Sequence, residues 1–277
     1  MSGRPVGPAD LPVTLSNPRA ERVKRVAALA GRSARSRAGA WLVEGPQSVR
    51  EAVRFAPERV RDVYLSAEAL ERHPEIAAAA LDASLYLHVG TDQVLDAMSG
   101  DAQGVVAVLD STGHSLDDVV AARPRLVAVL SNVRDPGNAG TVIRAADAAG
   151  ADAVVLAGES VDPSNPKVIR STAGSLFHLP VARAPLADAV EALLEAGLTV
   201  LAADGSGDVE LGDASGGLDL AAPTAWVFGN EAWGLRDEEL ALADTVVRIP
   251  IYGRAESLNL GTAATVCLYA SATAQRA

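Results

Sequence analysis

Five apolar runs in the second half of the chain leave little choice of fold: "RLVAVLS" (125–131), "DAVVLA" (152–157), "LTVLAAD" (198–204), "AWVFG" (225–229) and "VVRIPIY" (246–252). A strand with one wet face alternates apolar and polar residues, whereas a continuous apolar run suits a strand covered on both faces. Helical stretches separate these runs. The expected fold is therefore α/β, a mostly parallel sheet with helices on both faces. In open sheets of this kind ligands bind beyond the carboxyl ends of the strands, so the strand exits are where a site is expected.

The first half shows the same alternation on a smaller scale. "AWLVEG" (40–45), "RVRDVYLS" (59–66), "LYLHV" (85–89) and "GVVAVLD" (104–110) read as strands, and "PQSVREAVRF" (46–55) and "TDQVLDAM" (91–98) as helices. The expected division is a smaller α/β domain over 1–110, a linker over 111–124 marked by polar and turn residues and a proline, and a larger domain over 125–277.

The 277 residues carry a net charge of −11, which argues against a polyanionic partner until its distribution is considered. Residues 19–37 hold seven Lys or Arg against Glu21 alone, giving +6 and leaving −17 for the rest. An acidic body with a basic arm is the electrostatic pattern of a protein that meets nucleic acid through that arm. Arg22, Lys24, Arg25 and Arg35 of the arm are the candidate nucleic-acid contacts. The single cysteine, Cys267, shares a helical face with Leu260 and Ala264 and reads as a small core hydrophobe. His73, His88, His114 and His178 lie far apart without metal-ligand spacing, so no metal is expected. With no apolar run of about 18 residues and no apolar leader, the expected setting is cytoplasmic, away from membranes.

Three strand exits carry polar loops flanked by glycine. In "SNVRDPGNAGTVIRAADAAG" (131–150), Asn138 can cap a helix that starts near Ala139 and stops at Gly150. Arg144, amid small apolar neighbours, is either the solvent edge of that helix or a buried cation with a partner. In "FGNEAWGL" (228–235), Gly229 and Gly234 bracket Asn230 and Glu231; Glu231 can also start the helix that follows, and Trp233 is expected to pack on the loop. In "IPIYGRAESLNLGTAAT" (249–265), Ser257 and Asn259 precede a small-residue helix, where capping is the simplest role. Neither a dinucleotide fingerprint nor a phosphate loop is present.

Taken in order, the three blocks resemble the three motifs of the SpoU (TrmH-like) branch of the SPOUT RNA 2'-O-ribose methyltransferases. The first is similar to N-P-G-N-x-G-x-x-x-R, the second to F-G-x-E-x-x-G-L with Asn230 where Ser is commoner, and the third to I-P-x-x-G-x-x-x-S-L-N. The segments 15–26 and 41–53 also resemble the family's N-terminal substrate-binding domain, related to ribosomal protein L30e.

That resemblance implies a C-terminal trefoil knot, which general topology rules would not propose, and S-adenosylmethionine as cofactor. It implies that the main chain at Gly229, Ile249 and Leu258 holds the adenine and ribose, with Ala203, Gly205 and Gly253 in the same site. Arg144 becomes the catalytic centre, as base or as electrostatic stabiliser, with Asn138, Glu231, Ser257 and Asn259 around it. The implied partner is structured RNA, ribosomal rather than transfer RNA because of the N-terminal domain. The implied assembly is a homodimer, for which the alanine faces at 145–149 and 263–274 are suited, although packing within the chain would explain them too. The alternatives are a transfer RNA 2'-O-methyltransferase and an inactive knotted RNA-binding assembly factor.

Overall fold

In the computed structural model, residues 11–213 and 217–277 are described; the first ten residues of the expected 1–110 domain lie outside them. The chain divides into two compact units, one made of the residues up to Thr112 with Ser164–Phe177, the other of Gly113–Pro163 with His178–Ala277.

The first unit contains α1 (Glu21–Ala28), α2 (Arg32–Ala38), β1 (Ala40–Glu44), α3 (Pro46–Phe55), β2 (Val60–Ser66), α4 (Ala67–Arg72), α5 (Pro74–Asp82), β3 (Leu87–Gly90), α6 (Asp92–Met98) and β4 (Val105–Asp110). Its sheet runs β1-β4-β2-β3, antiparallel except for β2 with β3. Helix α1 buries Val23 and Val26, one helical turn apart, in a core with Leu42, Tyr64, Leu95 and Val106. The opposite face of α1 leaves Arg22, Lys24 and Arg25 exposed.

Arg35 departs from its expected role as an RNA contact. Its side chain is buried, with Nε donating to Ser164 Oγ at 3.0 Å and Nη1 to the carbonyls of Ala30 at 2.8 Å and Leu29 at 3.2 Å. A buried guanidinium needs such acceptors, and this one ties the end of α1 to the 164–177 segment. A second tie is Arg170, which pairs with the buried carboxylate of Glu44 and, at 2.7 Å, with Asp101. Ser99 Oγ donates to the other oxygen of Glu44 at 2.5 Å. Glu44 would be an uncompensated buried charge without Arg170, which is a physical reason for 164–177 to leave the expected 125–277 domain and join the first unit.

The second unit follows α7 (Leu116–Ala121), β5 (Leu126–Ser131), α8 (Pro136–Ala149), β6 (Ala153–Ala157), then α9 (Pro166–Ser171) of the 164–177 segment, β7 (Val181–Ala184), α10 (Leu186–Glu195), β8 (Thr199–Ala203), β9 (Val209–Glu210), β10 (Thr224–Phe228), α11 (Asp237–Leu240), β11 (Thr245–Arg248) and α12 (Leu260–Ala274). Among the described residues its sheet is ordered β7-β6-β5-β10-β8-β11-β9, and every pair is parallel. Strands β5, β6 and β10 are buried at every position, as continuous apolar runs require. Because β5, β10, β8 and β11 are adjacent and parallel, their carboxyl ends share one edge.

Several local expectations are corrected. The 111–124 stretch is not a bare linker but holds α7, started by a reciprocal cap between Ser115 and Asp118. Strand β11 stops at Arg248 rather than reaching Tyr252, since Pro250 has no N–H to give a ladder. Strands β7 and β9 carried no apolar run long enough to announce them. Helix α8 starts at Pro136, and its cap is Asp135, whose Oδ1 accepts from Asn138 N at 2.8 Å. Helix α11 is a single turn, and Glu231 lies outside it.

Helices α8 and α12 pack on each other, close enough that a Cβ on Gly261 would lie 2.6 Å from Thr141 Cγ2. Ala145, Ala149, Ala264 and Ala272 are buried within the chain, so these four are accounted for by packing within it, whereas Ala148 is exposed and Ala263, Ala270 and Ala274 are half-buried. Trp226 Nε1 donates to Ser271 Oγ at 2.9 Å in the same layer. Cys267 is fully buried there, and burial pushes its thiol up to about 12. Among the described residues no helix is long and apolar enough to cross a membrane.

Candidate functional site

The shared strand edge gathers the loops that follow β5, β8, β10 and β11. Phe228, the last residue of β10, is level with Leu130 of β5 on one side and with Ala203 of β8 on the other. The loop after β5 is fixed from below. Asn132, with φ of +56°, donates to Glu239 Oε1 at 2.9 Å, and Ser131 Oγ donates to the same oxygen at 2.5 Å. Asparagine tolerates this left-handed conformation better than most residues. Glu239 is buried, so the charge at the head of α11 serves to hold a neighbouring loop.

The loop after β10 closes on itself. Asn230 N donates to Gly234 O at 3.0 Å and Gly234 N to Asn230 O at 2.9 Å. That closure explains both glycines: a Cβ on Gly229 would lie 2.3 Å from the carbonyl carbon of Gly234, and Gly234 has φ of +69°. Asn230 Nδ2 reaches the carbonyl of Asn132 at 2.7 Å, which joins this loop to the first.

Asn138 is where the three motifs meet. Since Asp135 caps the helix, the Asn138 side chain is free to bridge: Nδ2 donates to Glu231 Oε1 at 3.2 Å, and Oδ1 accepts from Asn259 Nδ2 at 3.1 Å. Glu231 Oε1 also accepts from the Asp135 amide at 3.3 Å. Asn259 does cap α12, accepting from Gly261 N at 2.9 Å, so capping and bridging are performed by one side chain. The chain Glu231–Asn138–Asn259 thus fixes residues 93 and 121 positions apart in sequence.

Beside this junction lies a cleft of about 430 Å³, lined by Ala203, Asp204, Gly205, Phe228, Gly229, Asn230, Glu231, Gly234, Ile249, Ile251, the stretch Glu256–Leu260 and Ala263. Its volume is that of a small-molecule site, for which about 300–1,000 Å³ is usual. The lining has three carboxylates, Asp204, Glu231 and Glu256, and no Lys or Arg. Such a wall suits S-adenosylmethionine, which bears a cationic sulfonium and no phosphate. Ala203, Gly205, Gly229, Glu231, Ile249, Ser257, Leu258 and Asn259 therefore sit together.

Three expected site residues do not line the cleft: Asn138, which bridges Glu231 and Asn259 beside it, Gly253 and Arg144. Gly253 belongs to the exposed loop beyond it, with open space where a Cβ would be. Arg144 lies on the exposed stripe of α8 with Thr141 and Ala148. It has no hydrogen-bond or ion-pair partner among the described residues, so of the two readings left open the solvent edge is the one observed. Trp233 is 44% exposed rather than packed down, with the Arg134 guanidinium 5.5 Å from its ring centroid. Asn132, Asp135 and Glu239 were missed by the sequence reading; an Asn and an acid next to Pro-Gly at a strand exit were the available signals. Among the described residues no group of three or more His, Cys, Asp or Glu is placed to hold a metal ion.

Residues 125–269 match the model of the SpoU rRNA Methylase family, and residues 42–112 match that of the RNA 2'-O ribose methyltransferase substrate-binding domain. The chain is 34% identical over 256 residues to a 23S rRNA (uridine(2479)-2'-O)-methyltransferase of Streptomyces viridochromogenes, covering 88% of this chain and 86% of that protein. It is 32% identical to the 23S rRNA (guanosine(2553)-2'-O)-methyltransferase RlmP of Bacillus subtilis, covering 90% of this chain and 95% of the relative. Among solved structures, that of the SpoU methyltransferase AviRb from Streptomyces viridochromogenes in complex with AdoMet superposes with a TM-score of 0.78 at 33% identity, over 93% of this chain and 99% of that one. These matches span both units and all three motif loops: the chain belongs to the SpoU rRNA methylase family of RNA 2'-O-ribose methyltransferases.

Proposed function

We propose that this chain methylates a ribose 2'-hydroxyl of 23S ribosomal RNA, using S-adenosylmethionine held in the cleft at the carboxyl edge of the parallel sheet. The observation that carries the proposal is the Asn138 junction, which joins the three motif loops beside a cleft walled by backbone and carboxylates. The cofactor supplies an electrophilic methyl on a sulfonium. The main chain at Gly229, Ile249 and Leu258 grips its adenosine part, with Ala203 and Gly205 along the wall. Ser257 and Asn259 hold the third loop and the substrate.

A ribose hydroxyl is a weak acid, so attack needs its developing negative charge stabilised. Arg144 is a permanent cation with a planar fork of donors; it holds the phosphate beside the target ribose and stabilises the forming alkoxide while the hydroxyl proton is lost to solvent. Asn138 and Glu231 orient the ribose. Since Arg144 does not line its own chain's cleft, the active unit in this reading is a homodimer in which Arg144 serves the partner's cleft. The exposed Val266 and Tyr269 of α12, 39% and 46% accessible, supply apolar surface for that contact. The same reading includes the C-terminal knot, supported by β11 inserting between β8 and β9 before α12 returns to α8. It sets the work in the cytoplasm, with Arg22, Lys24 and Arg25 gripping RNA.

The test is Arg144→Ala. The variant should fold and bind S-adenosylmethionine by calorimetry, yet lose nearly all tritium transfer to 23S rRNA. Arg144→Lys should fail too, because a point charge cannot replace the fork. Substantial turnover by the alanine variant would refute the assignment.

A further inference from the structure

Trp233 and Arg134 form the one cation–aromatic pair described in the second unit, and it flanks the junction. Trp233 sits between Glu231 and Gly234, both of which line the cleft. Arg134 immediately precedes Asp135, whose amide bonds the Glu231 carboxylate at 3.3 Å. Both side chains are exposed. The chain has only ten aromatic residues, three of them Trp; Trp41 and Trp226 are 8% and 0% accessible, against 44% for Trp233. An exposed pair of this kind adds little to folding, and leaving the largest apolar side chain in water at the rim of an otherwise acidic cleft has no packing explanation.

We infer that the Trp233–Arg134 pair is a stacking platform for an unpaired base of the substrate RNA, that of the nucleotide being methylated. Single-stranded RNA is recognised by bases stacked on aromatic rings and guanidinium planes. Here both kinds of surface adjoin the Glu231–Asn138 junction, and Arg134, one residue from the Asp135 amide that bonds Glu231, adds positive charge to draw in the phosphate backbone. Stacking accepts any base because each has a π-face. The platform therefore selects an unstacked nucleotide rather than a particular base.

The inference rests on the RNA methyltransferase reading, and one experiment separates the two. Indole emission of the wild-type protein is followed while an in vitro 23S rRNA transcript is added, and tritium transfer is measured on the same samples. Trp233 is the accessible indole, so the expected result is emission quenched in step with RNA binding and a quench absent in Trp233→Phe. Trp233→Ala should raise KM for RNA by about 5- to 150-fold without altering calorimetric S-adenosylmethionine binding, and Trp233→Phe should recover most of that loss. An active wild-type protein whose emission ignores RNA, or whose alanine variant keeps its KM, overturns the platform alone. An emission change that follows protein concentration and not RNA also overturns it, by assigning the ring to a subunit contact. A wild-type protein with neither quench nor transfer overturns the platform and the methyltransferase reading together.

Discussion

Gly229→Ala separates loop closure from ligand approach as the reason for that glycine. An added Cβ would lie 2.3 Å from Gly234 C, 2.5 Å from its O and 2.6 Å from Leu235 N, where ordinary contact begins near 3.4 Å. All three atoms are backbone, so no side chain can swing away, and the loop must move by about 1 Å. The two hydrogen bonds between Asn230 and Gly234, at 3.0 and 2.9 Å, cannot survive that shift. Losing them removes about 0.5–1.5 kcal/mol each, and the residual overpacking adds about 1–3 kcal/mol. A total of about 4 kcal/mol corresponds to about 8–16 °C in Tm for a domain of this size. Denaturant and thermal unfolding read that loss, and calorimetry should show weaker S-adenosylmethionine binding, since Gly229 and Gly234 both line the cleft. Gly234→Ala strains only its own backbone, with Asp204 Oδ2 at 3.1 Å from the new Cβ, and should cost about 1–2 kcal/mol. An alanine at 229 that leaves stability intact while weakening the cofactor would show that the glycine serves ligand approach and that the closure argument is wrong.

Other consequences follow from the same geometry. Reversing the charges of Arg22, Lys24 and Arg25 should lower RNA affinity and reduce the salt slope by about 2–3, whereas Arg35→Ala should leave the slope alone and destabilise the first unit by about 1–3 kcal/mol through its orphaned acceptors; equal RNA binding by the triple variant in a salt titration would remove the arm from the interface. Mixing Arg144→Ala with an Asn138→Ala variant, each inactive, should restore part of the activity if one subunit's arginine serves the other's cleft, and no recovery on subunit exchange would refute the shared site. Cys267 keeps its proton in the fold up to about 12, while an unfolded chain gives it up near about 8.5; the neutral thiol's contribution is thus full below that pH and falls as pH rises toward 12. Native protein should resist thiol reagents at pH 9 until it is unfolded, and rapid native-state labelling would contradict the burial.

The sheet was legible because strands covered on both faces are built from continuous apolar runs, and β5, β6 and β10 are such strands, with β8 buried through its middle. The end of β11 was not, since Ile249-Pro250-Ile251 keeps the apolar pattern while the missing proline N–H ends the ladder. At the site, residue types and order gave the loops. They did not give the Asn138 bridge, because the cap it was expected to supply is made by Asp135 three residues earlier. Arg35 failed for a related reason: net charge counts a cation without revealing that its guanidinium is turned inward onto Ala30 O and Ser164. The first unit's claim on 164–177 was equally hidden, since it depends on Glu44 meeting Arg170 across 126 positions.

The most direct test of the central claim is to let the protein transfer tritiated methyl from S-adenosylmethionine to 23S rRNA and then hydrolyse the RNA in alkali. A 2'-O-methyl blocks cleavage of the adjoining phosphodiester. The expected result is label recovered in a single alkali-resistant dinucleotide, absent with Arg144→Ala. Label released with ordinary mononucleotides would mean the methyl sits on a base, and no label despite cofactor bound in the cleft would mean the junction supports no transfer; either would contradict the account.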